Sequence, residues 1–255
     1  MPSEHEPWAC PERPLLFAAL RLPPARRVVV LAPHPDDFDE IAVTLRLLHR
    51  QNHRIDLAVL SSGASGVEDC FQPGLTAAGK AALREAEQRA SCRFFGLPED
   101  RLTFLRLDEG PDGHLTASET NLERLGRWWQ AHPADLVFLP HGNDTNPAHQ
   151  RACAFLRQLA AQTGHPFVAL FNRDPKTVAM REDVLTFFDA EEAAWKGELL
   201  RCHQSQHQRN LRTRGHGLDE RILRVNRTVA ERWGQTDRYA EAFELARFPA
   251  PTATP

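Results

Sequence analysis

From residue 27 onward, short apolar runs alternate with longer stretches in which apolar positions recur every three or four residues. Residues 27–33 (RVVVLAP) form a β-branched run closed by a proline and predict a buried strand. Behind it, Ile41, Leu45 and Leu48 share one helical face. Residues 54–60 (RIDLAVL) predict a second strand, closed by the small polar loop 61–66. Residues 76–95 predict a helix with Leu83, Ala86, Ala90 and Phe94 on one side, stopped by Gly96 and Pro98. A third strand over 102–107, a helix over 118–132 with Ser118 as cap, and a fourth strand over 136–139 follow. A helix over 147–163 and a fifth strand over 167–171 continue the alternation, and residues 184–188 are expected to add a sixth strand. Beyond Glu191 the chain reads as mostly helical, with Leu218, Ile222, Val225, Val229 and Trp233 in helical period and a short last segment over 240–248.

Strands joined through single helices need crossover connections, so the pattern predicts an α/β fold: a Rossmann-like, mostly parallel sheet with helices on both faces and a helical C-terminal tail. Residues 27–248 are expected to form a single domain, flanked by loosely held proline-rich segments at 1–26 and 249–255.

Composition narrows the function. With 31 Lys+Arg against 34 Asp+Glu and a formal net charge of −3, nothing favours nucleic acid or an anionic membrane as partner. No apolar run approaches the ~20 residues of a membrane span. The apolar stretch 14–20 follows Glu4, Glu6 and Glu12 rather than a basic region, which argues against secretion. Five scattered cysteines without a C-x-x-C suit reduced thiols, and the expectation is a cytoplasmic protein.

The first strand–helix turn carries Pro33-His34-Pro35-Asp36-Asp37 in place of a G-x-G-x-x-G fingerprint, which disfavours a dinucleotide. Ligands of open α/β sheets bind beyond the carboxyl ends of the strands, and two segments rich in metal-ligating side chains fall there. His34 and Asp37 can aim an imidazole and a carboxylate at one centre. The segment 140–149 (PHGNDTNPAH) adds His149 in the first turn of a helix begun by Pro147. Two histidines and a carboxylate with an open fourth position form a known arrangement for catalytic zinc. Asp36 would then be the carboxylate left free to accept a proton from water.

The His34-Pro35-Asp36-Asp37 turn after a hydrophobic strand resembles the PIG-L/LmbE-type family of metal-dependent N-deacetylases. The resemblance extends to Arg84-x-x-Glu87 with Ala90 and Gly96, to the segment ending at His149, to Lys196…His203-x-Ser205-Gln206, and to Tyr239–Phe243, so it spans roughly residues 27–248. It implies a Rossmann-like fold with one metal ion, usually Zn²⁺ with Fe²⁺ or another divalent ion also suited, and a reaction that removes acetyl from an N-acetylglucosamine-type amino sugar. Carried over by position, His34, Asp37 and His149 are the metal ligands and Asp36 the general base. Family resemblance also leaves a homo-oligomer open. Two departures stand out. The family's assisting histidine three residues before the last ligand is Asn146 here, and the Gly-Glu pair common after the second strand is replaced by Gly63-Ala64. An amide can donate to an oxyanion but cannot shuttle a proton near neutral pH. Asn146 and His141 are therefore the further catalytic candidates, and His203 could take the assisting part or, like Arg84, contact substrate.

Plainer readings compete at each position. Asp37 could merely cap a helix, Asp39 and Glu40 could be helix-dipole partners, and His141 and Asp144 could be polar loop residues or groups standing behind a ligand. Arg84 with Glu87 is most simply a surface ion pair. His5, His49, His53, His114, His132, His165, His207 and His216 read as surface residues. The loss of the assisting histidine also motivates two rival functions: a catalytically weak protein that binds a sugar or metabolite in the same crevice, or a de-N-acylase of a non-sugar amide.

Overall fold

Strand β2 (Arg27–Ala32) shows how the sheet is buried. Val28, Val30 and Ala32 enter one apolar core, while Val29 and Leu31 enter another on the opposite face. A strand with two buried faces must read as a continuous apolar run, which is why its sequence is so plain. The structure, a computed structural model, describes residues 7–162 and 164–248. The expected loose ends at 1–6 and 249–255, His5 among them, lie outside the described residues.

In chain order the elements are β1 (Leu15–Leu16), β2, α1 (Ala42–Arg50), β3 (Arg54–Val59), α2 (Ala77–Phe95), β4 (Leu102–Phe104) and α3 (Glu119–Ala131). They continue with β5 (Leu136–Pro140), α4 (Pro147–Gln162), β6 (Phe167–Asn172), β7 (Val184–Phe188), α5 (Ala190–Leu200), α6 (Gln204–Arg214), α7 (Leu218–Arg232) and β8 (Tyr239–Phe248). The 8-stranded sheet has the order β1-β7-β8-β6-β5-β2-β3-β4. Strands β6, β5, β2, β3 and β4 run parallel to one another. From β2 the chain winds outward through β3 to β4, then returns to place β5 on the other side of β2. That reversal opens a crevice beyond the carboxyl ends of β2 and β5, where open α/β sheets hold ligands. The mostly parallel α/β architecture is the one the sequence predicts.

Three local expectations need correction. The segment 240–248 is not an appendage to a helical tail: β8 is inserted between β6 and β7, antiparallel to both. Part of the segment before residue 27 is anchored, since β1 pairs with β7 and Trp8, Leu15 and Phe17 are buried. Helix α2 turns its polar side inward. Arg84, Glu85, Glu87, Gln88 and Ser91 are buried whereas Phe94 is 43% exposed, the reverse of the face chosen from its apolar residues.

Candidate metal centre and its pocket

The loop after β2 and the loop after β5 meet in the crevice. The ring centroids of His34 and His149 lie 5.4 Å apart. Asp37 sits between them, with Oδ2 3.3 Å from His34 Nδ1 and Oδ1 3.5 Å from His149 Nε2. One ligand atom from each of His34, Asp37 and His149 falls within 4.8 Å of the others. The turn that presents them is fixed locally: Asp37 Oδ2 accepts the His34 backbone N–H at 2.7 Å, which leaves no helix-capping part for this carboxylate.

The donor set fits a divalent cation. Both ring nitrogens of His149 are buried without a hydrogen-bond partner, although carboxylates stand 3.3–3.5 Å from each. An ion on Nε2 would leave the Nδ1 side to Asp144, whose Oδ2 is 3.3 Å away, the usual way a ligating imidazole is oriented from behind. Asp144 is itself held, accepting the Asn146 N–H at 2.6 Å. The grouping of Asp144, His149 and Asp174 shares this same imidazole. Without a cation, burial works against charge on Asp37, but His149 and His34 outweigh it and hold the carboxyl well below its usual range. Burial likewise opposes protonation of His149, yet Asp37 and Asp144 overcome it and push this imidazole up to about 10. Protons thus occupy a place that suits a metal ion.

Asp36 points at the same space under backbone strain. Its φ is +116°, a region that costs a non-glycine residue ~1–3 kcal/mol and tends to persist at functional sites. The buried polar side of α2 holds it there. Gln88 Oε1 accepts the Asp36 N–H at 3.1 Å, Arg84 Nη2 donates to the Pro35 carbonyl, and the same Nη2 lies 3.3 Å from Asp36 Oδ1. Arg84 is therefore a buried brace for the turn rather than a surface ion pair, and it also lines the cavity beside Asp36. Glu87, 3.6 Å from Arg84 Nη1, accepts both the backbone N–H and the hydroxyl of Ser205, tying the start of α6 to α2. Gly63, at φ +62°, lets the loop after β3 approach closely: a Cβ there would stand 3.0 Å from Pro35 Cδ and 3.2 Å from Arg84 Nε. Glu109, from the loop after β4, accepts the N–H groups of Ser62 and Gly63 at 3.0 and 3.3 Å.

His34, Asp36, Asp37, Gly63 and Arg84 line a cavity of about 480 Å³. Asn146 is in its wall, with Oδ1 occupied by the Ala148 N–H at 3.0 Å at the start of α4. Two candidates are elsewhere. His141 turns toward β8, its Nε2 3.4 Å from Glu244, and does not line the cavity. His203 is wholly buried against Asp39, which also accepts from Ser91 at 2.5 Å, so Asp39 and His203 form a structural pair. Glu40 does line the cavity, and burial, then Asp174, Asp37 and Asp36, push its carboxyl well above the ordinary value.

Sequence reading missed His114, Asp174, Lys176, Arg209, Arg214 and Arg221, all in the cavity wall. His114 reads as a surface residue in the sequence, yet its Nδ1 is buried without a hydrogen-bond partner and burial lowers its pKa. No local pattern marks it. For the arginines, the basic stretch 209–214 (RNLRTR) was the available signal.

A family model for PIG-L, described as GlcNAc-PI de-N-acetylase, matches residues 29–160. No curated protein matches the chain in sequence. Among solved structures, an N,N'-diacetylchitobiose deacetylase from Pyrococcus horikoshii aligns at 18% identity with a TM-score of 0.70, covering 90% of this chain and 88% of that one. A 4-carboxy-2-hydroxymuconate hydratase from Pseudomonas putida aligns at 20% identity and TM-score 0.65, over 90% and 99% of the two chains. The zinc-inhibited form of a teicoplanin deacetylase aligns at 14% identity and TM-score 0.66, over 88% and 99%. At such identities these structures share the fold, and the fold alone.

Proposed function

Because this chain belongs to the PIG-L family, described as GlcNAc-PI de-N-acetylase, we propose that it is a hydrolase that removes the acetyl group from an N-acetylated amino sugar of the N-acetylglucosamine type. His34, Asp37 and His149 would hold one divalent ion, Zn²⁺ first, with Fe²⁺ also compatible with two imidazoles and a carboxylate. The observation that carries the reading is the meeting of these three side chains, from loops more than a hundred residues apart, at the wall of the cavity that His34, Asp36 and Asp37 line.

When bound, such an ion polarises the acyl oxygen and brings the pKa of water down to about 7. The rest of the chemistry falls to the chain. Asp36, aimed by Arg84 and Gln88, takes the proton from the attacking water and returns it to the departing nitrogen. Asn146 has its oxygen committed to the α4 cap, so its amide N–H is the group it offers to the developing oxyanion. His114 is a second histidine in the cavity wall beside His34, and burial lowers its pKa. Neither His141 nor His203 has a part in this scheme. The five free thiols support a reducing, cytoplasmic setting, and among the described residues no helix is long and apolar enough to cross a membrane.

Metal analysis combined with acetate release from N-acetylglucosamine glycosides tests the proposal. Chelation should abolish turnover and added Zn²⁺ restore it. Asp36→Ala should keep the ion while losing ~10²–10⁴-fold in kcat, the usual reach of a general base. Full activity in Asp36→Ala would overturn the assignment. Calorimetric binding of glucosamine glycosides without any acetate release would favour the sugar-binding alternative.

A further inference from the structure

Three acids surround the start of α1, and two of them are fully engaged. Asp39 is met by His203 and Ser91. Glu241 from β8 accepts the N–H groups of Val43 and Thr44 and an N–H of Lys196. Glu40, in the single helical turn Asp39–Ile41, is the exception. The residue is only 8% exposed and lines the cavity, yet its Oε2 is buried without a hydrogen-bond partner. Among the described residues no ion pair reaches its carboxyl. A helix-dipole role does not account for it, because Glu241 already takes the free N–H groups of α1. Lys196 holds the Glu40 carbonyl at 2.5 Å, so the backbone is fixed and the side chain alone is uncommitted. Burial, then Asp174, Asp37 and Asp36, favour a proton on that side chain, against Arg221 from α7.

A buried polar group left unmet costs stability in the free protein and discriminates against any ligand that fails to meet it. Glu40 follows the ligand Asp37 by three residues, and Asp37 is among the charges that act on it, so the substrate atoms it meets are those beside the reacting amide. In a glycoside of a 2-acylamino sugar, the carbons flanking the one that bears nitrogen carry the glycosidic oxygen and one hydroxyl. We propose that Glu40 is a specificity-determining residue whose carboxyl hydrogen-bonds the hydroxyl on the ring carbon next to the one bearing the acylated nitrogen. The inference deepens the deacetylase reading and rests on it for the identity of the sugar. A hydroxyl both donates and accepts, so it satisfies the carboxyl with its proton or without it. A sugar with hydrogen in place of that hydroxyl leaves Oε2 unmet and is rejected.

Calorimetry on the zinc-loaded protein tests this with three deacetylated probes: methyl glucosaminide, its 3-deoxy analogue and its 6-deoxy analogue. The wild-type protein should bind the 3-deoxy analogue about tenfold or more weakly than the parent, the usual consequence of stranding a buried polar group. In Glu40→Leu the difference should shrink to about twofold or less, the range of uncoupled pairs. Glu40→Gln, which keeps a donor and an acceptor, should retain most of it. The 6-deoxy analogue lacks a hydroxyl remote from the amide and should respond alike in the wild-type protein and Glu40→Leu. Two further readouts separate this role from a structural one. Glu40→Leu should keep its zinc, and its urea midpoint should hold or rise, because an unmet buried acid has been removed. Equal wild-type binding of the parent and 3-deoxy probes would overturn the proposal, as would a full 3-deoxy penalty in Glu40→Leu. A fall in the urea midpoint would make Glu40 a structural residue instead. Discrimination that depends on Glu40 without acetate release from the N-acetyl glycosides would sustain this site and remove the deacetylase reading. Acetate release without such discrimination would do the reverse, and failure of all three probes to bind would remove both.

Discussion

Two buried polar clusters meet at Glu40 and differ in how completely their atoms are satisfied. On one side, Lys196 Nζ donates to the Glu40 carbonyl at 2.5 Å, to Asn226 Oδ1 at 2.9 Å and to Glu241 Oε1 at 2.8 Å, using all three of its donors. Glu241 also accepts from the N–H groups of Val43 and Thr44 at 3.1 and 2.8 Å, closing the first turn of α1 from β8. Asn226 completes the set by donating to the Ala240 carbonyl at 3.0 Å. On the other side, Glu40 lines the cavity, where Glu40 Oε2, two nitrogens of Arg84, His114 Nδ1 and Asn210 Oδ1 are buried without a hydrogen-bond partner, as are both nitrogens of His149 behind its wall. Leaving such a group unmet costs ~1–3 kcal/mol, so folding alone does not favour the second cluster. A saturated network has nothing left for a ligand and sets geometry; an unsaturated one stays poised to bind.

The largest expected effect falls on the saturated side. Lys196→Met should lower the unfolding free energy by ~3–5 kcal/mol in urea denaturation, since Glu241 is then a buried charge without its partner. Adding Glu241→Gln should recover part of the loss. Unchanged stability in Lys196→Met would erase the contrast between the clusters.

On the open side, Asp144→Asn should weaken metal affinity ~10–100-fold in chelator competition with little change in stability, because the residue orients His149 from behind. An unaltered affinity would reduce Asp144 to loop structure. The effect smallest per step concerns pH. His149 is raised to about 10 in the metal-free protein. Its proton therefore contributes stability that is complete below the unfolded value of ~6.5 and is lost as pH rises through 10. An entering cation must displace that proton, so affinity should rise about tenfold per pH unit between pH 7 and 9, and a flat profile would mean no such exchange.

The same contrast explains what the sequence made legible. Strands β2, β3, β5 and β6 are buried on both faces, and their apolar runs announce them. The His34–Asp37 turn was visible because its residues are contiguous and stand where a strand ends. Helix α2 misled because its inward side serves the turn at Asp36: Arg84, Glu87 and Gln88 are buried for their hydrogen bonds, and no hydrophobic period can reveal that. Strand β8 was hidden in the same way by Glu241, a buried acid in the middle of a strand. The arginines of the cavity wall depend on how α6 and α7 dock, which is a matter of tertiary packing.

The place of β8 also bears on how the protein is made. Its residues leave the ribosome after those of every other strand, yet they fill a slot between β6 and β7 and deliver Glu241 to the start of α1. Until residues 239–248 have been synthesised, β6 and β7 each expose an unpaired edge, and the nascent chain is open to β-aggregation in the interval.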